Sequence, residues 1–174
     1  MTGTHLPSAG FTFRTSPFSL FLRRSRADRY GVFTREAIPK GRKVIEYGGE
    51  RITLRQANRR IRDYYREHGR APKREYVFLL KGDQLVDGVV GGTGAEFINH
   101  NCEGNLRVRR MQGHILLFSC RKIRAGEELN YDYALSPKSR RMPCRCGSPR
   151  CRGTINSVRE DSGSKPRATV KKRK

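Results

Sequence analysis

The sequence predicts a small, mostly β protein with one inserted helix and a compact cysteine-bearing segment near its C-terminal end. Three observations carry that reading. Short apolar runs rich in β-branched and aromatic residues recur between turn residues. Only one stretch has a helical start, body and stop. Three of the five cysteines crowd into eight positions, Cys144 to Cys151. At 174 residues the chain has room for one domain with tails. No apolar stretch is long enough to span a membrane, and the opening residues lack the charged and apolar regions of a signal peptide, so an intracellular protein is expected.

Taken in order, a mixed opening segment from Phe11 to Arg29 leads into Tyr30-Gly31-Val32-Phe33, the first strand pattern. Ile38-Pro39-Lys40-Gly41 reads as a turn, and Val44-Ile45-Glu46-Tyr47 as the next strand. The helix runs from Leu54 to about His68, with Thr53 as N-cap and Gly69 as stop. Strands follow at Tyr76 to Leu80, Gln84 to Val86, Leu106 to Val108 and Ile115 to Phe118. Ile123-Arg124-Ala125-Gly126 repeats the grammar of the earlier turn. No internal repeat is visible, which excludes a solenoid.

The formal charge is +22, from 38 basic and 16 acidic residues. Such an excess makes a polyanion the default partner. It is unevenly placed: residues 31–133 hold 20 basic and 13 acidic residues, and two thirds of the excess lies in the flanks. Residues 157–174 have too little apolar content for a core and read as a disordered basic tail, whose Lys171-Lys172-Arg173-Lys174 end is either solvated or a nuclear address or nucleic-acid contact. On the helix, Arg55, Arg59, Arg62 and Arg66 are spaced to share one face. That face is either simply solvated or a docking surface for an anionic partner.

Cys144, Cys146 and Cys151 form a C-x-C-x4-C cluster. Zinc takes four tetrahedral ligands and the cluster supplies three. Cys102, in the loop Asn99-His100-Asn101-Cys102, is the better fourth candidate, because Cys120 ends an apolar strand pattern and resembles a core thiol. His100 and a solvent ligand stay open. A structural Zn2+ would fold the basic 134–156 segment and pin it beside the 99–105 loop.

In order, the chain carries Tyr30-Gly31-Val32-Phe33, Glu46-Tyr47-Gly48-Gly49-Glu50, Phe97-Ile98-Asn99-His100-Asn101-Cys102-Glu103-Gly104-Asn105, Gly126-Glu127-Glu128-Leu129-Asn130-Tyr131-Asp132-Tyr133, and the cysteine cluster. This succession resembles the SET-domain protein-lysine methyltransferases with their post-SET zinc module. The resemblance implies a β-clip fold with a knot-like C-terminal threading, divided into an N-terminal extension (1–28), the SET domain (29–135), the zinc module (140–156) and the tail (157–174). It also implies S-adenosylmethionine as cofactor, contacted by Tyr30, Gly31, Asn99, His100 and Tyr133. Tyr133 corresponds to the catalytic tyrosine, Tyr47 to a channel wall, and Tyr131 to the position that limits how many methyl groups fit. It pairs Cys102 with Cys144, Cys146 and Cys151 at the metal. The chain departs from the family pattern at Arg29, Glu96 and Asn101.

The chemistry fits these residue types. Methyl transfer to an amine needs the reacting atoms in line in a dry site, and the attacking lysine must be neutral although its ordinary pKa is about 10.4. A desolvating aromatic channel favours the neutral amine, and phenol hydroxyls orient it. The implied substrate is lysine in a basic, histone-like tail, mono- or dimethylated, with DNA or nucleosome contact through the basic flanks and no membrane. Such a protein belongs in the nucleus or on chromatin. The rival reading is a non-catalytic, zinc-containing nucleic-acid-binding module with the same fold. A +22 enzyme repels a basic tail, so either the groove is locally acidic, from Glu46, Glu50, Asp83, Asp87 or Glu96, or the target is met already on DNA.

Overall fold

The computed structural model describes residues 13–69 and 76–158. The disordered-tail expectation and the Lys171–Lys174 address lie outside these residues. Among the described residues ten strands form three small sheets, accompanied by one α-helix. Strands β1 (Leu20–Arg24) and β2 (Tyr30–Thr34) make an antiparallel ribbon. Strands β3 (Lys43–Glu46), β7 (Asn99–His100), β8 (Leu106–Met111), β9 (His114–Ser119) and β10 (Asn130–Tyr131) make a five-stranded sheet in the order β3-β9-β8-β10-β7. Strands β4 (Glu50–Thr53), β5 (Val77–Lys81) and β6 (Gln84–Asp87) make the third, in the order β4-β6-β5.

Local sequence explains most of these elements. Met111 faces His114 across the β8–β9 turn, and both Gln112 and Gly113 have positive φ (49° and 78°), the requirement of a two-residue type I′ hairpin. Helix α1 (Leu54–His68) starts in a capping box in which the Thr53 hydroxyl accepts from the Gln56 N–H. It ends at Gly69, whose left-handed φ of 66° lets its N–H reach Tyr65 O. The two turns of matching grammar pair with each other: Ile38 and Ile123 exchange backbone hydrogen bonds of 2.9 Å each, and both side chains are wholly buried. Around them the core gathers Val32, Val44, Ile45, Ile98, Ile115, Leu117 and Leu129. A small second cluster of Ile52, Ala57 and Leu85 anchors the helix to the third sheet.

One feature of the five-stranded sheet positions everything else. Strand β10 lies parallel between β7 and β8, which are consecutive in sequence. The 101–105 connection therefore crosses β10. The crossing is sewn by reciprocal bonds: Asn105 N–H to Asn130 Oδ1 (3.1 Å) and Asn130 N–H to Asn105 Oδ1 (3.0 Å). Asn105 is fully buried and also donates to Glu128 O. Gly104 rests directly on the β10 backbone, where a Cβ would come within 2.5 Å of Tyr131 Cα. Gly104→Ala should therefore cost about 2–3 kcal/mol through backbone displacement. Thermal denaturation measures it, and an unchanged melting temperature would contradict the crossing.

Candidate active site and metal centre

The crossing brings together segments that the sequence keeps far apart. Tyr131 on β10 pairs with both His100 and Leu106. Its ring lies 4.8 Å from Tyr133 and 5.9 Å from Phe78, and Phe78 in turn meets Tyr47 edge-on at 5.0 Å. Three of the tyrosines named from sequence thus line one aromatic cluster, with Phe78 as a wall that sequence reasoning had treated only as strand. Tyr47 and Tyr131 are buried. Tyr47 Oη donates to Tyr76 O (2.8 Å) and Tyr133 Oη to Ile98 O (2.8 Å). Burial above all pushes the Tyr131 and Tyr47 phenols up, reinforced for Tyr47 by the nearby Glu96 and for both by Tyr133. They are neutral hydrogen-bonding groups. With its proton committed to Ile98, the Tyr133 oxygen keeps lone pairs to accept from a further donor.

On the other side of β7, Asn99 Nδ2 donates to Tyr30 O (2.9 Å) and to Glu128 Oε1 (2.8 Å), while Glu128 Oε2 accepts from the Ser25 hydroxyl (2.9 Å). This joins the β1–β2 ribbon to the five-stranded sheet and explains Gly31. A Cβ there would meet Glu128 Oε1 at 2.1 Å and Asn99 Nδ2 at 2.9 Å. The sequence reading gives Glu128 and Asp132 supporting hydrogen bonds rather than acid/base steps, and Glu128 makes them here. Nothing local in the Gly126-Glu127-Glu128 run tells which partners that carboxylate takes.

His100, buried, connects this region to the cysteines. Its Nδ1 accepts from the Tyr133 N–H (3.1 Å), which places the ring proton on Nε2, 3.4 Å from Cys102 Sγ. Burial lowers its pKa, consistent with a neutral ring. His100, Cys102, Cys144 and Cys146 all present ligand atoms within 4.8 Å of one another. Cys151 falls outside that mutual limit, although its thiol hydrogen-bonds with that of Cys144. With the proton on Nε2, His100 acts as a donor to the Cys102 sulfur. Burial and its thiol neighbours push Cys144 up to about 12. Burial also opposes ionisation of Cys146, but donors from Cys102, Ser148 and Cys144 outweigh it and bring that thiol down to about 6. Cys120 stands apart and donates to Gly104 O (3.3 Å).

Arg152, directly after the cluster, forks onto Asp132 with bonds of 2.5 and 2.8 Å, and its N–H points to Cys102 Sγ (3.5 Å). Arg150 similarly grips Glu103. These ties fasten the cysteine segment to the loop and to the residue between Tyr131 and Tyr133. Neither was anticipated from sequence, where the arginines count only as net charge.

Of the five acids proposed for a groove, Glu46 is bound to His114 at 2.6 Å, and Glu50 and Asp87 are both held by Arg60 at 2.6 and 2.5 Å. Asp83 is exposed at the start of α1, beside Arg55 and Arg59. Glu96 alone lies against the aromatic cluster without an ion pair among the described residues; its carboxylate accepts from the Gly94 N–H (2.8 Å).

A threaded β fold, a buried tyrosine cluster at the crossing and a thiol cluster beside it define the architecture of a SET-type domain. The SET domain family model matches residues 29–134, and the chain belongs to that family. Among curated proteins it is 40% identical over 136 residues to the Schizosaccharomyces pombe "Histone-lysine N-methyltransferase, H3 lysine-4 specific", covering 76% of this chain and 14% of that one. It is 36% identical over 132 residues to "Histone-lysine N-methyltransferase ash1" of Drosophila melanogaster, covering 72% and 6%. Among solved structures, that of KRYPTONITE in complex with mCHG DNA and SAH matches with a TM-score of 0.65 at 27% identity, over 80% of this chain and 29% of that one. The chain thus spans only a small part of each of these proteins.

Proposed function

We propose that the protein is an S-adenosylmethionine-dependent protein-lysine N-methyltransferase, adding one or two methyl groups to lysine in a basic, histone-like tail. The observation that carries this is the Tyr47–Phe78–Tyr131–Tyr133 cluster, in which Tyr47 and Tyr131 are buried and Phe78 and Tyr133 half-buried, with Tyr133 Oη fixed on Ile98 O. The histone-lysine methyltransferase relatives support the same reading and favour a nuclear or chromatin-associated role. No described helix is long and apolar enough to cross a membrane. The proposed division is a SET domain at 29–135, a zinc module at 140–156 and basic flanks that contact DNA.

The residues fit the cofactor. Tyr30 O and the Glu128 carboxylate, held by the donating Asn99 amide, set acceptor oxygens beside Gly31, suited to a ligand bearing positive charge. When bound, S-adenosylmethionine supplies an electrophilic methyl group on a sulfonium. Tyr30, Gly31, Asn99, His100 and Tyr133 would hold it. Tyr47, Phe78 and Tyr131 exclude water from the entering lysine and so favour its neutral amine. The Tyr133 hydroxyl orients the amine, and the Tyr131 phenol occupies space that a third methyl group would need. Zinc fits equally: Cys102, Cys144, Cys146 and Cys151 would hold it, and the Arg152 guanidinium interacts with the charges of Cys102 and Cys144, offsetting a thiolate cluster. A labelled-methyl assay across basic peptides, read by mass spectrometry, tests the whole reading. Mainly trimethylated product would overturn the assigned product range.

Burial raises the Glu96 pKa while backbone N–H donors of Thr93, Gly94 and Glu96 itself oppose that shift, and its carboxylate is the local negative charge such a substrate needs. Glu96→Gln keeps the acceptor for Gly94 but removes the charge. It should raise KM for a basic peptide about fivefold, close to 1 kcal/mol, with kcat little changed. Steady-state kinetics check this, and an unchanged KM would remove Glu96 from substrate recognition.

A further inference from the structure

We infer that helix α1 carries a docking surface for the phosphate backbone of duplex DNA, built from Arg55, Arg59 and Arg62 with Arg66 at its end. At 100° per residue the four arginines fall within an arc of about 60°. The packed side of the helix, Ala57, Ile61 and Tyr64, is centred about 160° away, so the stripe is turned to solvent. Its acidic neighbour outside the helix, the exposed Asp83, forms no ion pair with it among the described residues. Arg60, on a different face, is the helix's anchoring cation, spanning Glu50 and Asp87. Among the described residues, Arg55, Arg59 and Arg62 form no ion pair, and Arg66 meets only the exposed Asp63 at 3.1 Å.

The chemistry of the stripe selects the partner. All its members are arginine, whose planar fork matches phosphate oxygens two at a time. It extends over about 16 Å, the rise of roughly five phosphates along one strand. No apolar or aromatic side chain lies within it, as a protein-binding hot spot would require. A membrane-surface helix needs a free apolar face, and here that face is packed on the third sheet.

The position of the stripe gives the docking a consequence for the channel. Arg60 ties α1 to β4 and β6, and Gly88, next after Asp87, lies against the Tyr47 hydroxyl, where a Cβ would come within 3.2 Å. A duplex held on α1 is thus fixed relative to the channel wall. That resolves how a chain of net charge +22 meets a basic tail: the tail is presented from DNA that the enzyme itself grips.

The test is fluorescence-anisotropy titration of a labelled duplex with the full chain over a series of salt concentrations. In the triple variant Arg55→Gln, Arg59→Gln, Arg62→Gln, the slope of log K against log salt should fall by about three, and affinity should drop at least tenfold at physiological salt. Arg→Lys at the same positions should retain the slope, because backbone binding is carried by charge. A charge-matched control, Arg107→Gln, Arg109→Gln, Lys122→Gln, should leave the slope nearly intact. Equal losses in variant and control would reduce the effect to net charge and overturn the proposal. So would retained duplex binding in the α1 variant, or loss only of binding to anionic vesicles or an acidic peptide. All positions are exposed, and circular dichroism melting verifies the fold. DNA binding is read without turnover, so failure of the methyltransferase reading leaves this result distinct.

Discussion

Tyr133→Phe lowers kcat for methyl transfer about a hundred- to a thousand-fold, the size typical of losing one preorganised hydrogen-bonding group at a reacting centre. The substitution removes only the hydroxyl. The ring contacts to Tyr131 at 4.8 Å and His100 at 5.3 Å remain, as does the backbone bond from residue 133 to His100 Nδ1. Ile98 O loses its hydroxyl donor, which costs about 1 kcal/mol of stability and leaves the protein folded. Cofactor affinity, measured by calorimetry, should change little while single-turnover methyl transfer collapses. A variant retaining more than about a third of wild-type kcat would remove Tyr133 from the reaction. Loss of cofactor binding instead would make its role one of binding.

Cys102→Ser should have the second largest effect, because that sulfur is where three structural connections meet. It accepts from His100 Nε2 at 3.4 Å, lies 3.8 Å from Cys144 Sγ, and receives the Arg152 N–H at 3.5 Å. With three remaining thiols the zinc site is incomplete, and the 134–158 segment loses its metal anchor. Contacts that tie it to the rest of the fold include Arg150–Glu103, Arg152–Asp132 and the thiols. Structural zinc sites contribute several kcal/mol of folding free energy outright. The variant should lose its bound zinc by elemental analysis, expose the segment to limited proteolysis, and lose most activity, since Asp132 stands between Tyr131 and Tyr133. Cys120→Ser, outside the cluster, should retain the metal. Full zinc content in Cys102→Ser would contradict the ligand set.

What the sequence makes legible follows from the range over which each signal acts. Helix α1 is recognised to the residue because its capping box and glycine stop are local. The β8–β9 and β5–β6 strands are recognised from alternation and turn residues. Strand β1 is missed because its Arg23 and Arg24 hide the pattern. Its stability comes from distant partners, with Arg23 over Phe33 at 4.0 Å and Arg35 over Phe21 at 4.6 Å. Strand β4 buries only Ile52, and β7 and β10, two residues each, are too short for any periodicity. The tyrosines, Asn99, His100 and the cysteines are named through ordered motifs, which imply roles without contacts. Arg152 and Phe78 escape, and the partners of Glu128 stay unspecified, because these contacts arise only when the crossing of β10 brings remote segments together. A single carboxylate or arginine carries no local mark of that.

The central claim, methyl transfer to lysine at the tyrosine cluster, is tested most directly by incubating the full chain with labelled S-adenosylmethionine and a panel of histones and basic peptides. The expected result is label on lysine, mass spectrometry showing one or two added methyl groups, and labelling at least about a hundredfold slower with Tyr133→Phe. A wild-type protein that binds duplex DNA yet neither binds S-adenosylmethionine nor labels any lysine would contradict it, and would leave a nucleic-acid-binding module on a SET fold.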